Sequence, residues 1–153
     1  MIRFSGADHL IAVETAPDGL QGAFLLHLEG RVPPGDLFEA YRRLGAMVSG
    51  PVLNLIVVNI RLDLQLSYSE FAEIHRGLYD CGIRRLNLVV ANPEPAIRHL
   101  VSFGDEVGRL QRQEIHPRVV ADRSAAVAEL RALMAQTPDI SAAPDSRPGG
   151  GMS

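Results

Sequence analysis

The chain has 153 residues, 46% of them hydrophobic and 22% charged, which suits one globular domain with one sizeable core and excludes collagen, coiled coil and wholesale disorder. Its 15 basic residues are all Arg, and against 18 Asp and Glu they leave a net charge of -3, the wrong sign for a domain that grips nucleic acid. The single cysteine, Cys81, has no intramolecular partner, so neither a disulfide scaffold nor a cysteine-built metal site is available.

Leu10 to Glu14 and Ala23 to Leu28 read as two short strands. Between them Pro17-Asp18-Gly19 is a turn signal, Pro presetting φ and Gly accepting positive φ, and the pair is expected to form an opening hairpin. Leu37, Tyr41, Leu44 and Val48 then recur at helical spacing. They predict a helix over Asp36 to Val48, started by Asp36 and Glu39 as an approximate capping pair and ended by Gly50-Pro51. Val52 to Ile60 is nearly continuous in apolar and β-branched residues, as a central strand covered on both faces must be.

A second helix is expected from Ser67 to about Asp80, with Gly82 as its C′ residue. Leu86 to Val90 follows as another buried strand. Asn92-Pro93-Glu94-Pro95 has the order of a cap followed by early-helix prolines, and Ile97, Leu100, Val101, Val107 and Leu110 carry a looser helical stripe that Gly104 and Gly108 weaken. Pro117 to Ala121 reads as the last strand, and Ser124 to Ala135 as a helix with Val127, Leu130, Leu133 and Met134 on its apolar face. The prediction is an α/β fold with a mostly parallel central sheet, an N-terminal hairpin strand and helices alternating with strands. One domain is assigned to 1–136. The Pro-, Gly-, Ser- and Ala-rich tail 137–153 is expected to be disordered, because it buries too little apolar surface to offset its ordering entropy.

The amino terminus lacks an apolar signal segment, and no apolar run approaches the roughly 20 residues that span a bilayer, so a soluble cytoplasmic protein is expected. Exclusive use of Arg fits codon bias in a GC-rich bacterial genome. His9, His27, His75, His99 and His116 are scattered with no i, i+4 pair, which argues against a metal site; His75 is expected at the surface or boundary. Ser67, His75 and Asp63 compose a triad only on paper, since no Gly-x-Ser-x-Gly elbow exposes the serine. Neither Gly-x-Gly-x-x-Gly nor a P-loop occurs. Cys81 follows a helix carboxyl end, where the dipole disfavours a thiolate, and is expected to be inert and partly buried. No enzyme activity and no cofactor are therefore expected.

Arg61 and Asp63 fall on the loop beyond the central strand's carboxyl end, where open α/β sheets place ligands, although solvated loop charges look the same. Ser67 and Glu70 satisfy the Ser-x-x-Glu capping box, a structural role that competes with any regulatory role for Ser67. Tyr68 and Tyr79 fall near the margins of the second helix's apolar stripe, where they either shield the core edge or serve a partner.

Leu28-Glu29-Gly30-Arg31-Val32, the strand Leu53 to Ile60, Gly82 to Val90 and Val119 to Leu130, taken in this order, resemble the STAS fold and within it the SpoIIAA-like group of small bacterial proteins. The resemblance covers about Leu10 to Met134. It implies a non-enzymatic signalling domain that binds a protein partner, such as a kinase or an anti-sigma factor, or a second copy of itself. Family members typically carry Asp-Ser-Ser-Gly after the central strand, with a serine that a partner kinase phosphorylates. Here the matching stretch, Asn59 to Glu70, lacks that motif, and Ser67 and Ser69 stand where the switch serine is expected. A phosphate there would gain from the helix dipole and be repelled by Glu70. Asp63, Ser67, Tyr68 and Ser69 are thus the candidate partner-binding or regulatory residues. The alternative is a carrier of a small hydrophobic ligand or lipid, with a cavity between the sheet and movable helices.

Overall fold

A computed structural model describes residues 2–15 and 20–137. The expected turn at Pro17-Asp18-Gly19 and the expected tail beyond Thr137 lie outside the described residues. The chain runs β1 (Ile2–Ser5), β2 (His9–Thr15), β3 (Ala23–Arg31), α1 (Pro34–Met47), β4 (Val52–Asp63), α2 (Tyr68–Asp80), β5 (Arg85–Ala91), α3 (Pro95–Val101), α4 (Gly104–Gln111), β6 (Glu114–Val120) and α5 (Arg123–Gln136).

The α/β class holds, but the sheet is mixed: its six strands lie in sequence order, β1–β2–β3 antiparallel and β3–β4–β5–β6 parallel. β1 is an addition to the expected order. Ile2 and Phe4 alternate with Arg3 and Ser5, a pattern of only four residues, and pair with Val13 and Ile11 of β2. Crossovers between neighbouring parallel strands, all of one hand, bring their helices to one face. Accordingly Leu37 and Leu44 of α1, Ile74 and Leu78 of α2, and Ile97 and Leu100 of α3 pack with Leu28, Leu55, Val57 and Val90 in one core. Among the described residues the opposite face carries only α5, whose Ala126, Val127, Leu130 and Leu133 meet Ala23, Leu25, Ile56, Val89 and Ala91. β4 therefore places Leu55 and Val57 in one core and Ile56 in the other, as its unbroken apolar run predicts.

Three expected local devices are replaced. α1 begins after Pro33, with no side-chain cap; the Asp36 carboxylate does not cap the helix but meets His9 Nε2 at 3.1 Å, and Glu39 pairs with Arg42 and Arg43. The single helix expected after Asn92 is two helices with a break at Ser102 and Phe103, and its cap position is Glu94. Leu110, expected on its apolar stripe, is 70% exposed. Gly108 answers a close approach instead, since a Cβ there would meet the Gln113 carbonyl oxygen at 2.6 Å.

Candidate functional site

The carboxyl ends of the parallel strands are held by buried and half-buried polar side chains. Asn59, 5% exposed near the end of β4, donates through Nδ2 to the Ala91 carbonyl at 3.3 Å and accepts the Glu94 backbone N–H at 3.0 Å. The Glu94 carboxylate in turn accepts the backbone N–H groups of Arg61 at 2.9 Å and Leu62 at 2.7 Å. Arg61 has φ +46 and Asn92 has φ +48, so both strand exits carry left-handed kinks that these bonds hold in place. Arg61 and Asp63 thus belong to the end of β4, not to a free loop, which corrects the expected strand end at Ile60. Arg61 reaches Glu29 at 3.3 Å, and His27 reaches the same carboxylate at 3.2 Å; these contacts, His27 first, hold Glu29 below its ordinary pKa. Asp63 faces Arg31 at 3.4 Å, both largely exposed.

Between Asp63 and α2 the chain is pinned by burial of Leu64 and Leu66, with Gln65 exposed between them. Ser67 then forms both halves of the capping box: its hydroxyl accepts the Glu70 N–H at 3.2 Å, and Glu70 accepts the Ser67 N–H at 2.9 Å. Ser69 is exposed, its hydroxyl 3.3 Å from that of Ser67. Tyr68 is half-buried, its ring edge-on to Phe103 at 5.3 Å and its buried hydroxyl without a partner. Of the four candidate residues, then, Asp63, Ser67 and Ser69 are exposed, and Tyr68 is packed between helices. Two open grooves of about 490 and 610 Å³ flank Gln65, one toward Glu70 and His99, the other toward His9, Arg31 and Asp63. Gln65 was missed by sequence reasoning because nothing local marks an exposed Gln between two buried leucines as different from any loop residue.

A second arrangement lies beneath α2. His75 is 4% exposed, which corrects the surface or boundary placement expected for it. Its Nδ1 lies 3.2 Å from Gln113 Oε1, and Gln113 Nε2 donates to the Ile83 carbonyl at 3.1 Å. Burial pulls the His75 pKa down to about 4, against a smaller upward pull from Gln113. Beside it is an apolar cavity of about 50 Å³ between the sheet and α1, α2 and α3. Cys81, expected to be partly buried, is exposed. Among the described residues no cluster of three or more His, Cys, Asp or Glu is arranged to hold a metal ion, and no helix is long and apolar enough to cross a membrane.

No protein-family model matches the chain, and no curated protein sequence matches it.

Proposed function

We propose that this is a non-enzymatic regulatory domain that binds a protein partner through the segment Asp63 to Ser69 and the two grooves beside it. The observation that carries this reading is a polar, exposed segment held rigid from below. Leu64 and Leu66 anchor it in the core, Glu94 clamps its approach, and the Ser67 capping box fixes its exit into α2. A loop ordered before binding loses little entropy on association, so its exposed Asp63, Gln65 and Ser69 can contribute most of their contact energy to a partner. Its place at the carboxyl edge of parallel strands is where α/β sheets most often present ligands, and the resemblance to SpoIIAA-like STAS proteins puts the regulatory serine in this same segment.

Within that reading Ser69 is the hydroxyl open to modification. Ser67 already accepts the Glu70 N–H, whereas Ser69 is exposed in the first turn of α2. The partner is a protein such as a kinase or an anti-sigma factor.

The test is affinity capture from a lysate of the source organism, followed by titration of the captured protein. The variant Asp63→Ala/Gln65→Ala/Ser69→Ala should unfold at the wild-type temperature and bind that protein at least tenfold more weakly. A control variant, Glu106→Ala/Arg109→Ala on α4, should bind as wild type does. Equal affinity for a folded triple variant overturns the assignment.

A further inference from the structure

β6 is the last strand of the sheet, and two hydrogen bonds fix which of its sides is free. The Glu114 N–H donates to the Arg84 carbonyl at 2.9 Å, and the Asn92 N–H donates to the Val120 carbonyl at 2.8 Å. Backbone groups alternate in direction along a paired strand, so Glu114, His116, Arg118 and Val120 turn theirs toward β5, and Ile115, Pro117 and Val119 turn theirs outward. Pro117, which has no N–H, thus falls on the side where the ladder to β5 loses nothing. Its outward carbonyl accepts the Arg118 guanidinium at 2.9 Å. The free edge therefore offers the N–H and C=O groups of Ile115 and Val119, and the Val119 side chain beside them is 44% exposed.

Along the start of this edge an open groove of about 370 Å³ lies between α4 and β6, its lining including Gly104, Gly108, Arg109, Arg112, Glu114 and Ile115. Its charge is one-sided. Arg109 and Arg112 are exposed and form no ion pair among the described residues, whereas the acid, Glu114, is already met by His116 at 3.1 Å and Arg85 at 3.4 Å. Arg112 also holds a costly position. α4 ends with the Gln113 N–H reaching back to the Gly108 carbonyl at 3.0 Å, the bond of a Schellman ending, and Arg112 is its left-handed residue at φ +56. Gly or Asn normally stands there, because a Cβ crowds the backbone in this conformation. An Arg kept in a strained conformation beside a free strand edge is a reason to ask what its side chain meets.

We propose that the α4–β6 groove takes an extended acidic segment of a partner protein, which adds to the sheet beyond β6 by pairing with Ile115 and Val119 and sets a carboxylate against Arg112, with Arg109 adding to the field. The free edge selects an extended occupant, since its outward N–H and C=O groups are spaced for a strand. The two unpaired guanidiniums select the charge. A second copy of this chain fits the edge poorly, because its own β6 brings the same proline gap and the same positive charge. The groove lies at the amino ends of the parallel strands and the Asp63 to Ser69 segment at their carboxyl ends, so the two sites stand or fall independently.

The experiment is a titration of the full chain with the capped peptide acetyl-Asp-Val-Thr-Val-Thr-Asp-amide, and with the same peptide carrying Asn or Lys in place of both Asp, followed by amide NMR and hydrogen exchange. The Asp peptide should give saturable shifts at the Ile115 and Val119 amides and slow their exchange at least fivefold, while Glu114 and His116, already paired with β5, keep theirs. The Asn peptide should bind about tenfold more weakly, the loss of a charge-assisted hydrogen bond, and the Lys peptide more weakly still. Arg112→Gly separates grip from fold: relieved of its left-handed side chain it should unfold at a higher temperature than wild type, yet bind the Asp peptide about tenfold more weakly. No saturation with the Asp peptide overturns the proposal, as does equal binding of the three peptides. Saturation with unchanged exchange at Ile115 and Val119 overturns it too, since that is attraction of an acid to a basic surface without strand addition. An Arg112→Gly variant that binds as wild type does, or that loses stability and binding together, removes Arg112 from the site.

Discussion

Among the described residues a single helix, α5, fourteen residues long, lies against one face of the sheet; against the other lie four, of which α3 and α4 have seven and eight. Both faces bury polar side chains, but they treat them differently. At the amino-end margin under α5, Asn87 donates to Asn54 Oδ1 at 2.8 Å and Thr137 Oγ1 at 2.9 Å, and accepts Arg85 Nε at 3.0 Å. On the four-helix face the Tyr68 hydroxyl and Gln111 Oε1 are buried without partners, and Tyr41 and His75 border a void. One unbroken helix can align a whole apolar stripe with the sheet and leave its polar groups to a paired margin. Broken helices meet the sheet piecemeal, and the joins between them hold the unpaired atoms. Since buried polar groups without partners are rare, such joins are where binding is first sought.

The comparison breaks most visibly if the two cores respond alike to truncation. Leu130 is fully buried under α5, and Leu130→Ala should cost about 3–4 kcal/mol of unfolding free energy in urea. Leu100 already borders the cavity, so Leu100→Ala deletes fewer contacts and should cost about half as much. A reversed order would mean that the four-helix side is the tighter of the two.

The next largest effect depends on pH. His75 has a pKa of about 4 in the folded protein against 6.5 for the ordinary side chain, so the unfolded chain binds the extra proton first as pH falls. The neutral imidazole therefore stabilises the fold fully above pH 6.5, and that contribution is lost as pH drops toward 4, by up to about 3 kcal/mol. Wild type minus His75→Leu, followed by thermal unfolding from pH 7.5 to 4, should show this slope. A difference that stays flat with pH would place His75 in contact with water.

Glu94 sharpens the contrast at the carboxyl edge, where one side chain holds two strand exits. Glu94→Ala leaves the Arg61 and Leu62 N–H groups without their acceptor and should cost about 2 kcal/mol in urea unfolding. Amide exchange at Arg61 and Leu62 should speed up while exchange in β2 stays as it was. Unchanged exchange at both would show that the kink at Arg61 is held by something other than the carboxylate.

What the sequence discloses follows the distance over which each feature is determined. Ser67-x-x-Glu70 is legible because both halves of the box lie within four residues, and the Val52 to Ile60 run is legible because burial on both faces leaves an apolar residue at nearly every position. His75 is not legible: its burial depends on Gln113, 38 positions away, and a histidine after Phe71 and Ile74 reads equally as a boundary residue. The extension of β4 to Asp63 depends on pairing with Arg31 in β3, and β6 begins at Glu114 because an edge strand tolerates Pro117 within it. The mixed sheet is legible only in part. The hairpin of β2 and β3 is marked by local turn chemistry, whereas β1 offers only four residues, Ile2 to Ser5, too short a run to establish an alternation.

The smallest effect separates two hydroxyls 3.3 Å apart. Ser67 is the N-cap of α2 and satisfies an N–H that the helix cannot; Ser69 lies within the first turn, exposed, and caps nothing. Ser67→Ala should therefore cost about 1 kcal/mol in urea unfolding, and Ser69→Ala less than about 0.5 kcal/mol. Partner binding should invert that order under the proposed function, because Ser69 faces solvent and the Ser67 hydroxyl is already engaged by Glu70. A pair of variants ranked the same way in stability and in binding would mean that the segment acts through its shape alone. A pair ranked oppositely would mean that evolution could tune the surface at Ser69 while the helix start at Ser67 keeps that surface in place.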